Sequence, residues 1–212
     1  MLATILSTLD WLGIVVFAIT GALVASRKEM DIFGFALLAT VTGIGGGTIR
    51  DLLLGATPVF WVKEPGYIAV CVITSIVVYF TAHIPESRYR LLLWFDAIGL
   101  ALFAVLATER TFDLGHGPII AVVMGIISAT FGGIARDVLG GEVPLLLRKD
   151  VYVTAALVAA LTFIAAEAIG LPRATVVLLA MTAGFAVRAL ALIYNWSLPA
   201  FRGRPGRPQG GA

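Results

Sequence analysis

The sequence predicts an all-α integral membrane protein, with seven transmembrane helices arranged as two inverted three-helix repeats plus a seventh helix. Three observations predict it. Of 212 residues, 59% are hydrophobic and only 13% charged, against about 25% charged in a soluble domain. Too little polar surface is left to coat a water-soluble fold, and the mean hydropathy of +0.99 agrees. Seven apolar runs each approach the roughly 20 residues that a bilayer-crossing helix needs. The chain also aligns with itself at an offset of 86 residues.

The runs fall near 9–26, 32–54, 66–83, 91–108, 117–140, 151–169 and 173–195. Charged or proline-bearing punctuation separates them, from Ser26-Arg27-Lys28-Glu29 after the first to Pro172-Arg173 before the last. No basic residue precedes the first run, and Asp10 lies inside it, so it reads as a retained helix rather than a cleaved signal. With seven crossings, one side receives Lys63, Arg110 and Arg173. The other receives Arg27, Lys28, Arg88, Arg90, Arg148, Lys149, Arg202, Arg204 and Arg207. The excess of Lys and Arg on cytoplasmic loops predicts an outside N-terminus and a cytoplasmic C-terminus. The Pro/Gly/Arg-rich tail, 199–212, is predicted to be a disordered cytoplasmic segment, with arginines able to meet anionic headgroups.

At offset 86, Asp10 falls on Asp96, Gly13 on Gly99, and Phe17-Ala18 on Phe103-Ala104. Gly46-Gly47 falls on Gly132-Gly133, Arg50-Asp51 on Arg136-Asp137, and Pro58 on Pro144. Scattered Leu and Ala matches mean little in apolar sequence, but clustered Gly, Arg, Asp and Pro matches mark a real duplication. The predicted units are 5–84 and 91–170, with 172–195 as the seventh helix. Three spans per unit is an odd number, so the second copy enters the membrane upside down. Inverted repeats of this kind build transporters and some channels, with the pathway between the copies.

The candidate site follows from the repeat. Gly45, Gly46 and Gly47, followed by Thr48, interrupt the second span, and Gly132 with Gly133 the fifth. Each interior glycine disfavours helix by about 1 kcal/mol relative to Ala, which predicts helix breaks lining a wet path. The competing reading is close helix packing, since Gly43 and Gly47 form a GxxxG pair. Arg50-Asp51 and Arg136-Asp137 are candidate mouth charges. Residues at i and i+1 do not face each other on a helix, so each arginine is expected to find another partner. Asp10 and Asp96, placed at the starts of the first and fourth spans, are the predicted partners of Arg50 and Arg136. Thr20, Thr42, Ser128 and Thr130 are candidate pore hydroxyls, although such hydroxyls commonly bond back to the helix backbone.

Other chemistry is thin. Cys71 stands alone, His83 and His116 lack companions at metal spacing, and no nucleophile–base pair stands out. The net charge of +2 points to no nucleic-acid partner. An enzyme, a bound metal or a resident cofactor is not expected.

These residues resemble the trimeric intracellular cation (TRIC) channel family, and its bacterial branch most closely, over roughly residues 5–195. The motifs that carry the resemblance are Gly45-Gly46-Gly47-Thr48-Ile49-Arg50-Asp51 and Gly132-Gly133-Ile134-Ala135-Arg136-Asp137. The resemblance implies a homotrimer in a bacterial inner membrane, with a pore in each protomer lined by spans one, two, four and five. It implies conduction of monovalent cations, chiefly potassium, with K+ or Na+ passing transiently. Animal members carry basic residues in the fourth helix that are tied to voltage response. The interior of span four here has Asp96 but no Lys or Arg. A secondary transporter of a small solute such as glycine needs the same architecture and is the alternative.

Overall fold

Apolar helices dominate the chain. The computed structural model describes residues 2–85, 87–148 and 150–199. The elements are α1 (Leu2–Arg27), α2 (Ile32–Leu53), a short α3 (Phe60–Lys63), α4 (Gly66–Thr81), α5 (Arg88–Asp113), α6 (Pro118–Leu139), α7 (Val153–Ala168) and α8 (Arg173–Tyr194). A 3-10 turn, Leu145–Leu147, precedes α7. Lys149, the tail from residue 200 and its arginines lie outside the described residues.

Five helices are long and apolar enough to cross a membrane, whereas α4 and α7 have 16 residues each. At about 1.5 Å per residue those two reach roughly 24 Å, shorter than the sequence suggests. Both boundaries that carry the candidate aspartates also shift. α1 begins at Leu2 and α5 at Arg88, so Asp10 and Asp96 lie two turns or more inside their helices. Ser87 is the reason at α5, because its side chain accepts from the Arg90 amide at 3.2 Å and starts the helix early. The helix also continues beyond the fourth apolar run, which ends near 108, through Asp113.

The duplication is visible in the packing. α1, α2 and α4 have 26, 22 and 16 residues, and so do α5, α6 and α7. A Cβ on Gly46 would overlap the Ser128 carbonyl oxygen, and one on Gly132 the Thr42 carbonyl oxygen. These two contacts exchange under the 86-residue offset. They also run in opposite order along the two helices, so α2 and α6 cross antiparallel. Gly13 against the Phe103 ring and Gly99 against the Phe17 ring form a second exchanged set, between α1 and α5. The two rings stack at 5.0 Å. Reciprocal contacts of this type define a two-fold relation between the halves.

Both α2 and α6 end in the same turn. Gly55 and Gly141 take left-handed φ values of +66° and +65°. The Ala56 amide bonds Asp51 O and the Glu142 amide bonds Asp137 O, each at 2.8 Å. This is a Schellman closure, which only glycine adopts without strain.

α1 and α5 form the centre. Residues Leu100 through Ala107 are all buried, so α5 is covered around its whole circumference, as its unbroken apolar run requires. Leu37 of α2, Phe80 of α4, Ile119 of α6 and Leu178 of α8 point outward, as lipid-facing side chains do. Between helices the attraction in lipid comes from close packing of small residues and from hydrogen bonds. The glycine contacts and the buried arginine below are examples of the two.

Candidate functional site

The glycine runs do not break their helices. α2 is continuous from Ile32 to Leu53 and α6 from Pro118 to Leu139. The missing side chains allow backbone-to-backbone approach at the α2–α6 crossing instead. The three glycines of α2 differ in surroundings. A Cβ on Gly46 would strike backbone, one on Gly47 would come within 2.7 Å of the Phe60 ring, and one on Gly45 would find nothing nearer than 3.7 Å. On α6, a Cβ on Gly133 would lie 3.0 Å from the Tyr152 hydroxyl oxygen. Thr48 faces the α3 segment, donating to Ile44 O and accepting from Trp61 Nε1 at 3.0 Å. Thr42 and Thr130 bond back to Leu38 O and Ile126 O, while the buried Ser128 hydroxyl has no partner among the described residues.

Each arginine does bond its neighbouring aspartate, contrary to the expectation from helix geometry. Arg50 Nε and Nη2 donate to Asp51 Oδ1 at 2.9 and 2.7 Å, and Arg136 Nε donates to Asp137 Oδ1 at 2.8 Å. The reason lies beyond the helix end. Asp51 Oδ2 accepts from the Phe60 amide and Asp137 Oδ2 from the Leu145 amide, both at 2.9 Å. These bonds draw each aspartate toward the following loop, and the long arginine folds over to meet it.

From there the two ends diverge. Arg136 is fully buried. Its Nη1 donates to Asp96 Oδ1 at 2.7 Å, the approach that the repeat predicts, and to Thr20 Oγ1 at 3.0 Å. Arg136 Nη2, Asp96 Oδ2 and the Tyr152 hydroxyl have no protein partner among the described residues. Arg188 of α8 fixes the segment that carries Tyr152. It donates to Val151 O at 3.2 Å and lies 5.2 Å from the Tyr152 ring centre.

Arg50 instead faces an open cleft of about 350 Å³ between the ends of α1, α2 and α5. Asp10 lines the same cleft, so it shares an end of the protein with Arg50, but the two form no ion pair. The position matching Thr20 under the repeat is Leu106, whose side chain has no oxygen to offer Arg50. Four carboxylates (Asp10, Asp51, Glu109 and Asp113) and three cations (Arg50, Lys63 and Arg110) line the cleft. Behind it, Arg173 gathers Glu109 at 3.6 Å, Glu167 at 2.9 Å and Asp113. Tyr152, Arg188 and this Arg173 network escape the sequence reading. Arg188, a charge inside an apolar span, is the one with a visible signal.

A family model described as Glycine transporter matches residues 7–83 and again 93–168. The chain is 41% identical over 202 residues to a UPF0126 membrane protein of Vibrio cholerae, covering 93% of this chain and 83% of the relative. It is 39% identical over 198 residues to the UPF0126 inner membrane protein YadS of Escherichia coli K12, covering 91% and 94%. Among solved structures, the TRIC trimeric intracellular cation channel orthologue from Rhodobacter sphaeroides superposes with a TM-score of 0.89 at 55% identity. It is covered completely, by 91% of this chain. A prokaryotic TRIC channel determined in 0.5 M KCl gives a TM-score of 0.86 at 33% identity, with 92% of this chain and 100% of that one covered.

Proposed function

This chain belongs to the TRIC-related membrane protein family described as Glycine transporter, and we propose that it is a potassium-permeable channel for monovalent cations. The proposed assembly is a homotrimer with one path in each protomer, as the R. sphaeroides neighbour is a trimeric cation channel. The path runs between α1, α2, α5 and α6, from the Arg50 cleft past the Gly46–Ser128 crossing to the Asp96–Arg136 cluster.

The observation that carries this reading is the cleft. In this open recess Asp51 is held by Arg50, Glu109 and Asp113 are held by Arg173, and Asp10 makes no ion pair among the described residues. That is a setting for weak rather than tight cation binding, which conduction requires. Because α2 and α6 are continuous, water and side chains, not freed carbonyls, serve the ion. The Arg136 end is sealed, so this conformation is a closed channel. By the distribution of Lys and Arg, the cleft faces outward across the cell membrane.

Asp10→Asn tests the role of the cleft. Screening lengths are about 10 Å at 0.1 M salt and 3 Å at 1 M. The substitution is expected to lower potassium current about twofold at 0.1 M KCl and little at 1 M. Equal currents at 0.1 M would remove Asp10 from the entry field.

One observation favours the second reading, a secondary transporter of a small solute such as glycine. One end open and the other sealed is also the layout of alternating access. Saturable flux that depends on the solute belongs to the transporter, and current in potassium chloride alone to the channel.

A further inference from the structure

The inverted repeat makes the two ends near-copies, so their differences locate what shuts one of them. At the sealed end, Glu142, in the turn after α6, collects three cations. Arg27, at the last position of α1, bonds both its carboxylate oxygens at 3.0 and 3.2 Å. Lys28 lies at 3.7 Å and Arg148 at 3.9 Å. The Tyr89 ring, near the start of α5, lies between the two arginines, 4.8 Å from Arg27 and 5.7 Å from Arg148. The Arg148 Nη1 group also donates to the Tyr89 hydroxyl. One carboxylate thus ties the end of α1 to the turn after α6, and Tyr89 of α5 packs on the two arginines it holds, so three of the four helices of the proposed path meet here. Beneath it, Val24 is fully buried and abuts Gly140 of the same turn.

The open end cannot build this arrangement. Under the 86-residue offset, Arg27, Lys28, Glu142 and Arg148 correspond to Asp113, Leu114, Ala56 and Val62. Asp113 and Ala56, the counterparts of Arg27 and Glu142, are walls of the open cleft. The latch and the cleft therefore occupy equivalent places at opposite ends. At the cleft end Asp113 is held from behind by Arg173 of α8, and among the described residues no ion pair joins α1 to the turn after α2.

We propose that Glu142 is the positioning residue that holds the Arg136 end shut, by gathering Arg27, Lys28 and Arg148 across the boundary between the repeats. This rests on the path proposed above and adds its regulation. Removing the Glu142 charge leaves three unneutralised cations within one turn's reach, and their repulsion drives the helix ends apart. Loss of a shared carboxylate from such a network shifts the closed–open balance by about tenfold, or roughly 1.4 kcal/mol.

The test reads water access to Val24, independently of conduction. In purified full-length protein, Val24→Cys is placed in a Cys71→Ala background and its reaction with a cationic thiol reagent is timed, with and without Glu142→Gln. The native, buried Cys71, timed in a chain that keeps Val24, reports general loosening. The expected result is a rise of about tenfold at position 24 with the Cys71 rate unchanged. An unchanged rate at position 24, or equal rises at both positions, overturns the proposal. Faster labelling at position 24 alone, in a protein that passes no potassium current, keeps the latch and rejects the channel reading.

Discussion

Arg136→Ala is expected to be the most damaging single charge deletion in the protein, and Arg50→Ala, its counterpart in the repeat, a milder one. Removing Arg136 leaves Asp96 and Asp137 buried without their counter-charge. Breaking a buried pair by deleting one partner costs about 3–5 kcal/mol. For a chain of this length that lowers the thermal midpoint by roughly 10 °C, measured as loss of monodisperse protein in detergent. Arg50 and Asp51 are also largely buried but border the open cleft, where water reaches Asp51 once the guanidinium is gone, and a smaller loss of about 1.5–3 kcal/mol is expected. Adding Asp96→Ala to Arg136→Ala removes one of the stranded charges, so the double substitution is expected to recover part of the loss. Equal midpoints for Arg50→Ala and Arg136→Ala would show that the two ends are not differently sealed.

The second large effect separates three adjacent glycines. Gly46→Ala and Gly132→Ala each force a methyl group into the backbone of the facing helix, and overpacking of this kind costs about 1–3 kcal/mol or more. Gly47→Ala meets only the Phe60 ring, which can turn aside at smaller cost. Gly45→Ala meets no close atom and is expected to stabilise by up to about 1 kcal/mol through helix propensity. Thermal midpoints in the order Gly45→Ala, Gly47→Ala, Gly46→Ala, from highest to lowest, identify a packing contact. If all three substitutions left the midpoint alone and abolished flux equally, the glycines would be hinges and the crossing contact would be incidental.

Why the glycines misled the sequence reading is physical. A glycine in a membrane helix serves a bend or a close contact equally well, and only the facing backbone decides between them. Here that backbone belongs to Ser128 and Thr42, 82 and 90 residues away in the chain from Gly46 and Gly132. The helices themselves were legible because lipid enforces long apolar runs with internally satisfied backbones. The Asp96–Arg136 contact was legible because the duplication and the odd number of spans fixed which ends meet. What the repeat could not reveal by its matches was its asymmetry. Arg50 and Arg136 sit in matching Gly-Gly-x-x-Arg-Asp motifs, yet Thr20 bonds one while its counterpart Leu106 lines the cleft beside the other. Glu142 against Ala56 is the same lesson, since the informative positions are those where the two copies disagree. The α3 turn went unseen because its four residues are too few to leave a periodic signal.

The claim that stands above the rest is a cation path through each protomer, and current in the absence of any organic solute tests it most directly. Purified protein in a planar bilayer under a potassium chloride gradient is expected to show discrete openings that reverse near the potassium potential. Openings should become more frequent in Glu142→Gln. A silent bilayer with both proteins, together with saturable glycine uptake into proteoliposomes, would contradict the channel and make the same scaffold a transporter.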